Sequence, residues 1–403
     1  MATSIPLLSG IRVLAVEQYG AAPFGTQYLA ELGAEIIKIE QPDEGGDVSR
    51  HVGPYFAQGL PETARSIFFQ SINAGKKSIT LNLRKEEGRA VFRKLAAGAH
   101  AVASNMRGDV PARLGLTFDQ LKMVNPAIVC AHLTGYGRDG ERVIWPGYDY
   151  LMQAEAGYFS LTGEPDSPPA RMGLSMVDYM TGVVMSLGLV SGLLGARTTG
   201  EGCDVDVSLY NVGLHNLNYV GNWYLNAGAV TPREPRSSHP VLTPCQLYRT
   251  SDGWIYLMCN KEKFWGKLCE KISRPDWITD ARFVDFPARL EHRHVLTGLL
   301  DGALSERTTS EWMTIFAGVV PAAPILSVAE ALDAPFAAQG GRIRDIALED
   351  GSHLRLLRGP LRTSRDGEPV APGPALGAHT AAILAEVGIG AAELDGLRQR
   401  GIV

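Results

Sequence analysis

Short apolar runs alternate with amphipathic stretches along the first third of the chain. Residues 11–16 are apolar with β-branched members and lead into Gly20, Pro23 and Gly25. A helical spacing follows through Tyr28, Leu29 and Leu32, Gly33 stops it, and residues 34–39 read as a second strand. The theme repeats, with strands at 78–81, 101–104 and 128–132 and helices at 86–97 and 117–123. Buried strands separated by helices predict a parallel sheet covered by helices.

Residues 148–195 read as mostly helical, interrupted at 163–169, and 200–202 is a turn before a strand at 204–209. A helix over 214–225 precedes a Pro, Arg, Ser and Gly texture at 227–244, which reads as a linker. Beyond it, 245–250 and 254–259 predict an antiparallel hairpin around Ser251-Asp252-Gly253, with helical segments at 264–272, 289–304 and 310–316. Past residue 329 the pattern is mixed and rich in Pro and Gly.

Composition narrows this picture by exclusion. At 403 residues the chain has the length of two or three domains. It is 45% hydrophobic and 20% charged, as soluble globular chains are. Thirty-eight basic and 43 acidic residues leave a net charge of −5, which offers no general attraction to nucleic acid or an anionic membrane. The cysteines, at 130, 203, 245, 259 and 269, are odd in number and form no Cys-x-x-Cys pair, so reduced thiols in a cytoplasmic protein are expected. His292 and His294 lie two apart, but no Cys or Asp cluster completes a zinc set, and no metal is expected. Residues 1–10 lack the basic start and apolar stretch of a signal peptide. The most apolar stretch, 182–196, is shorter than the roughly 20 residues of a membrane span and is expected to be a buried helix.

The turn at 20–25 invites a nucleotide reading but lacks the Gly-Lys-Ser/Thr of a Walker loop and the third glycine of a dinucleotide fingerprint. It is either an anion site at a helix start or a plain strand-to-helix turn. Ser175, in Gly173-Leu174-Ser175-Met176-Val177, misses the final glycine of a hydrolase elbow. Asp178 remains, between Met176-Val177 and Tyr179-Met180 at the head of the apolar helix. A carboxylate there is either an N-cap that satisfies backbone amides or a partly dry nucleophile.

A series of short segments then bears on the choice. They are Leu8-Ser9-Gly10-Ile11-Arg12-Val13-Leu14, Leu32-Gly33-Ala34-Glu35, Asn73-Ala74-Gly75-Lys76-Lys77, Gly147-Tyr148-Asp149, Thr162-Gly163-Glu164-Pro165, Val177-Asp178-Tyr179-Met180-Thr181-Gly182, Ser251-Asp252-Gly253-Trp254 and Leu376-Gly377-Ala378-His379-Thr380. In this order, from about residue 8 to 380, they resemble the class III CoA-transferases, the formyl-CoA transferase and carnitine CoA-transferase family. The resemblance implies that Asp178 is the nucleophile. Its carboxylate attacks an acyl-CoA thioester, forms a mixed anhydride and releases CoA thiolate, which with an incoming carboxylic acid rebuilds a new thioester.

By the same resemblance, Tyr19 and Gly20 form the turn beside the pantetheine, and Asn105 and Arg113 contact CoA, with Met106 at a position that is aromatic in relatives. Gln41 stands where some members carry an arginine, and Tyr148 and Tyr136 belong to the substrate pocket. The family's glycine-rich loop is missing, and segment 237–243 is expected to take its role. Acyl-CoA racemases of the family place a His where Tyr148 lies. A Tyr with an ordinary pKa near 10 is a poor base at neutral pH, so transfer is favoured over racemisation. A CoA-ester-binding protein without turnover is the other alternative, because Ala378 replaces a usual acidic residue. The implied fold is a Rossmann-like α/β large domain built from both chain ends, 1–226 and 330–403, with a smaller inserted α+β domain at 227–329. The implied assembly is an interlocked homodimer, with no permanently bound cofactor. CoA thioester (succinyl-CoA by default) and a small carboxylic acid are the substrates.

Overall fold

The computed structural model describes residues 6–365 and 370–403. The chain forms two compact units: Met1–Ala156 with Leu174–Asn218 and Ala338–Val403, and Gly157–Gly173 with Tyr219–Ala337.

In the first unit, β1 (Arg12–Val16), α1 (Ala21–Glu31) and β2 (Glu35–Glu40) are followed by α2 (Ile67–Asn73), β3 (Lys77–Thr80), α3 (Glu86–Ala97) and β4 (Ala101–Asn105). Short helices α4 (Val110–Leu114) and α5 (Phe118–Leu121) lead to β5 (Val129–Thr134). Then come α6 (Asp149–Glu155), α7 (Met176–Thr199), β6 (Cys203–Ser208) and α8 (Leu209–His215). The six strands pair in parallel in the order β3-β2-β1-β4-β5-β6. The order reverses between β1 and β4, and the loops leaving those two strands diverge there and open a crevice. β5 is buried at all six positions, as befits a strand covered on both faces. On one face Leu14, Ile37, Ile79 and Val102 pack with Phe92 and Leu95 of α3 and with Ile383, Leu384, Leu394 and Leu397 near the chain's end. On the other, α1 and α7 pack together. A Cβ on Gly25 would lie 2.3 Å from the Gly182 carbonyl oxygen, so these helices cross with backbone against backbone.

In the second unit, α9 (Asn218–Ala227) precedes β7 (Cys245–Arg249) and β8 (Trp254–Met258), the expected antiparallel hairpin, to which β9 (Ala322–Pro324) adds a third strand. Tyr248, Ile255 and Leu257 of this sheet bury against Trp265, Leu268, Leu296, Leu300 and Trp312 of its helices.

Several expectations need correction. Residues 148–195 are not one broken helix: α6 is a single short segment, and α7 begins only at Met176. Two helices replace the one read over 214–225, because Asn218 takes a φ of +45°. The change of unit comes there, so α9 lies with the second unit rather than closing the first, and 157–173 joins it. α7 is not simply a buried core helix. It is 24 residues long and apolar enough to cross a membrane by length and composition, with only 33% of its most apolar window buried. Val177, Met185 and Leu189 face inward, while Leu187 and Leu194 are 66% and 68% exposed. The mixed tail holds a hairpin, β10 (Ile343–Ala347) with β11 (His353–Leu357), and two helices, Thr380–Glu386 and Ala391–Gln399.

Candidate active site

The crevice at the ends of β1 and β4 is an open cavity of about 890 Å³, within the range of small-molecule sites. All its lining residues belong to the first unit. Tyr19, Gly20, Gln41, Asn105, Met106, Arg113, Tyr148 and Asp178 all line it. Tyr136 does not: its hydroxyl donates to Glu155 Oε2 at 2.7 Å, and its ring packs on Trp145 and Tyr210. Segment 237–243 belongs to the second unit.

Asp178 is the third residue of α7. The helix starts after Ser175, so Asp178 is not the N-cap that its sequence position also allowed. Its backbone N–H donates to Asp149 Oδ2 at 2.8 Å, and Gln153 Nε2 donates to Asp149 Oδ1 at 2.5 Å. Asp149 thus takes over the capping work, leaving the Asp178 carboxylate free for other use. Among the described residues no group donates a hydrogen bond to that carboxylate. Burial, with the negative charge of Asp149 added, pushes its pKa up to about 7.

The β1–α1 loop meets this carboxylate with its backbone. A Cβ on Gly20 would sit 2.9 Å from Asp178 Oδ2, so only glycine lets the chain come so near. Asn105 fixes the loop from β4: its Oδ1 accepts from Gln18 N–H at 2.8 Å and its Nδ2 donates to Gln18 O at 2.7 Å. Asn105 is therefore part of the loop's support as well as of the cavity wall. Gly20 and Ala21 open α1, whose first N–H groups have no partner within the helix and give the wall a positive end.

The cavity lining also includes four arginines, Arg84, Arg89, Arg107 and Arg113. Arg107 and Arg113 share Asp109, at 2.5 and 3.0 Å, and Arg84 pairs with Glu44 at 2.6 Å. Gln41 turns its amide to Asp43. Met106 packs its other side on the core. Gln153, Arg84 and Arg89 escaped the sequence reading, and Asp149 entered it only within the segment Gly147-Tyr148-Asp149, without a role. The two arginines carried a signal, clustered positive charge just after a strand, whereas nothing local marks Asp149 as the partner of a helix 29 residues on.

The CoA-transferase family III model matches residues 8–380. Over 387 residues the chain is 32% identical to a succinate–glutarate CoA-transferase of Agrobacterium fabrum, spanning 95% of this chain and 96% of that protein. It is 35% identical over 329 residues to an acetyl-CoA:oxalate CoA-transferase of Acetobacter aceti, spanning 81% and 82%. The crystal structure of a CaiB/BaiF family protein from Brucella suis superposes with a TM-score of 0.81 at 32% identity, covering 96% of this chain and all of that one. The chain belongs to CoA-transferase family III, enzymes that move CoA between an acyl-CoA and a carboxylic acid.

Proposed function

We propose that Asp178 is the covalent nucleophile of CoA transfer, carrying first the donor acyl group as an anhydride and then CoA as a thioester. The observation behind this reading is a buried carboxylate on the cavity wall that accepts no hydrogen bond from the described residues and faces the backbone of Gly20. One Asp178 oxygen attacks the thioester carbonyl, the C–S bond breaks, and CoA leaves as the thiolate while an anhydride forms. The thiolate then attacks the aspartyl carbonyl, freeing the donor acid and leaving an aspartyl thioester. The acceptor carboxylate runs the same two steps in reverse. Each exchange trades one activated acyl bond for another, so the thioester's free energy is kept. The N–H groups at the start of α1 are the donors for the tetrahedral oxyanion. A carboxylate with a pKa near 7 is a stronger nucleophile than an ordinary one, yet still half ionised at neutral pH.

Arg84, Arg89 and Arg113 supply the positive charge for the nucleotide phosphates, in place of the arginine absent at Gln41. Tyr148 lines the same cavity, and we assign it to the acyl end. The acids in the names of the two relatives above, glutarate and oxalate, suit a dicarboxylic acceptor; the succinate named in one of them fits succinyl-CoA as donor, and the other names acetyl-CoA. The Rossmann-like character of the large domain is supported by its strand order. The homodimer is supported by the exposed apolar stripe of Met180, Val183, Leu187, Val190 and Leu194 along α7. The enzyme works in the cytoplasm without a resident cofactor, and needs neither nucleic acid nor membrane.

The test is a panel of acyl-CoA donors against carboxylic acids, read by the mass of the CoA products, with hydroxylamine trapping in parallel. Hydroxamate at Asp178 is the expected result. Transfer with no label there, or undiminished in Asp178→Ala, rejects the reading.

A further inference from the structure

Beneath the Gly20 turn lies a group of buried charges that the transfer chemistry does not use. Asp47 Oδ1 accepts from Tyr19 N–H at 3.0 Å and from Ser49 N–H at 2.8 Å. Its Oδ2 pairs with Lys38 Nζ at 2.7 Å, and both side chains are fully buried. Lys38 also donates to Glu17 O at 2.8 Å. Asp47 is itself held, because its N–H donates to Glu40 Oε2 at 2.9 Å, and Glu40 is paired with buried Arg50 at 2.6 Å.

The bond to Tyr19 falls where the backbone is strained. Tyr19 has a φ of +63°, a left-handed conformation that is unfavourable for a residue with a side chain. Its neighbour Gly20 is the residue set against Asp178. Capping the short turn at Val48–His51 would account for the Ser49 bond alone. It does not account for a carboxylate that spans Lys38 on one side and a strained active-site peptide on the other.

We propose that Asp47 is a positioning residue for transfer: anchored by Lys38, it holds Tyr19 in the left-handed turn that sets Gly20 and the start of α1 against Asp178. The inference rests on Asp178 being the acyl carrier.

The experiment compares wild type, Asp47→Asn, Asp47→Ala and the double variant Asp47→Ala with Tyr19→Gly. The readouts are steady-state kcat and KM for the acyl-CoA and the single-turnover rate of Asp178 hydroxamate formation. Misplacing a reacting geometry by an ångström costs about 100-fold, so Asp47→Ala should lose roughly that in kcat and in labelling rate while KM moves less than about threefold. Asp47→Asn keeps an acceptor for Tyr19 and should recover most of the loss. Tyr19→Gly removes the side chain that makes the turn costly and should return about tenfold to the alanine variant. A role in folding alone predicts normal kcat in whatever fraction is folded, and no rescue by glycine. Labelling by Asp47→Ala at the wild-type rate, or a loss confined to KM, overturns the proposal. Should the alanine variant not fold, Asp47→Asn with and without Tyr19→Gly decides it: glycine must raise the kcat of the asparagine variant, and no gain counts against the idea. Absence of any label at Asp178 in the wild type would instead sink the acyl-carrier reading.

Discussion

Asp178 sits where two demands conflict. Burial and the charge of Asp149 raise its pKa to about 7, while the nucleophilic role proposed for it needs the ionised form. Transfer should therefore rise about tenfold per pH unit below 7 and level off above it, as a pH profile of kcat/KM will show. The same displacement has a cost in stability. The folded chain holds the Asp178 proton more tightly than the unfolded chain does, so this residue's contribution is favourable at low pH and is lost as pH rises from about 4 to about 7. Asp178→Asn cannot ionise. It should gain about 1–4 kcal/mol over wild type by pH 8, little at pH 4, and lose at least ~1,000-fold in transfer. Paired urea titrations at the two pH values test the sign, and a variant no more stable at pH 8 contradicts the buried-carboxylate account. A charge at an apolar helix start singles Asp178 out in the sequence, but local spacing leaves cap and nucleophile both open, and only the family resemblance chooses between them. Asp149, Lys38 and Asp47 are not singled out, since each acts across the fold on a partner that local spacing does not reveal.

The elements that carry the site depend on one close crossing. Gly25 of α1 and Gly182 of α7 each leave room for the other's backbone: a Cβ on Gly182 would lie 2.2 Å from Ala21 O. No rotamer relieves that clash, so Gly25→Ala must push the helices apart, at a cost of about 2–4 kcal/mol. Because α1 begins at the Gly20 turn, the same variant should lose transfer even where it remains folded. Thermal melting and kcat measured on one preparation will show whether the two losses travel together. Within the first 134 residues the five strands and helices α1, α3 and α5 followed the periodicity closely, because parallel strands buried on both faces leave continuous apolar runs, whereas the short helices α2 and α4 were not read from it. Region 157–175 misled, its apolar residues lying in turns and a single short 3₁₀ segment rather than a continuous helix. The tail helices were missed because Ala and Gly dilute their pattern.

At the scale of the molecule, α7 shows two faces, one against the sheet and one outward. If that stripe closes a dimer, Leu187→Glu combined with Leu194→Glu should shift sedimentation to the monomer. A dimer that persists would place the interface elsewhere. The other sheet face carries a different implication. Ile383, Leu384, Ile389, Leu394, Leu397 and Ile402 belong to the same core as Leu14 and Ile37, and Asn82 N–H is bonded to Ile402 O at 2.7 Å. The ribosome must therefore make the whole of Tyr219–Ala337 before the residues that seal this face exist. At ordinary synthesis rates that delay is on the order of 10 seconds. For that time the nascent first unit shows Leu14, Ile37, Ile79 and Val102 without the part of their cover that comes from the chain's end. The growing chain is then a natural client for chaperones, and a message cut short after codon 337 should yield insoluble protein even though every cavity-lining residue has already been made.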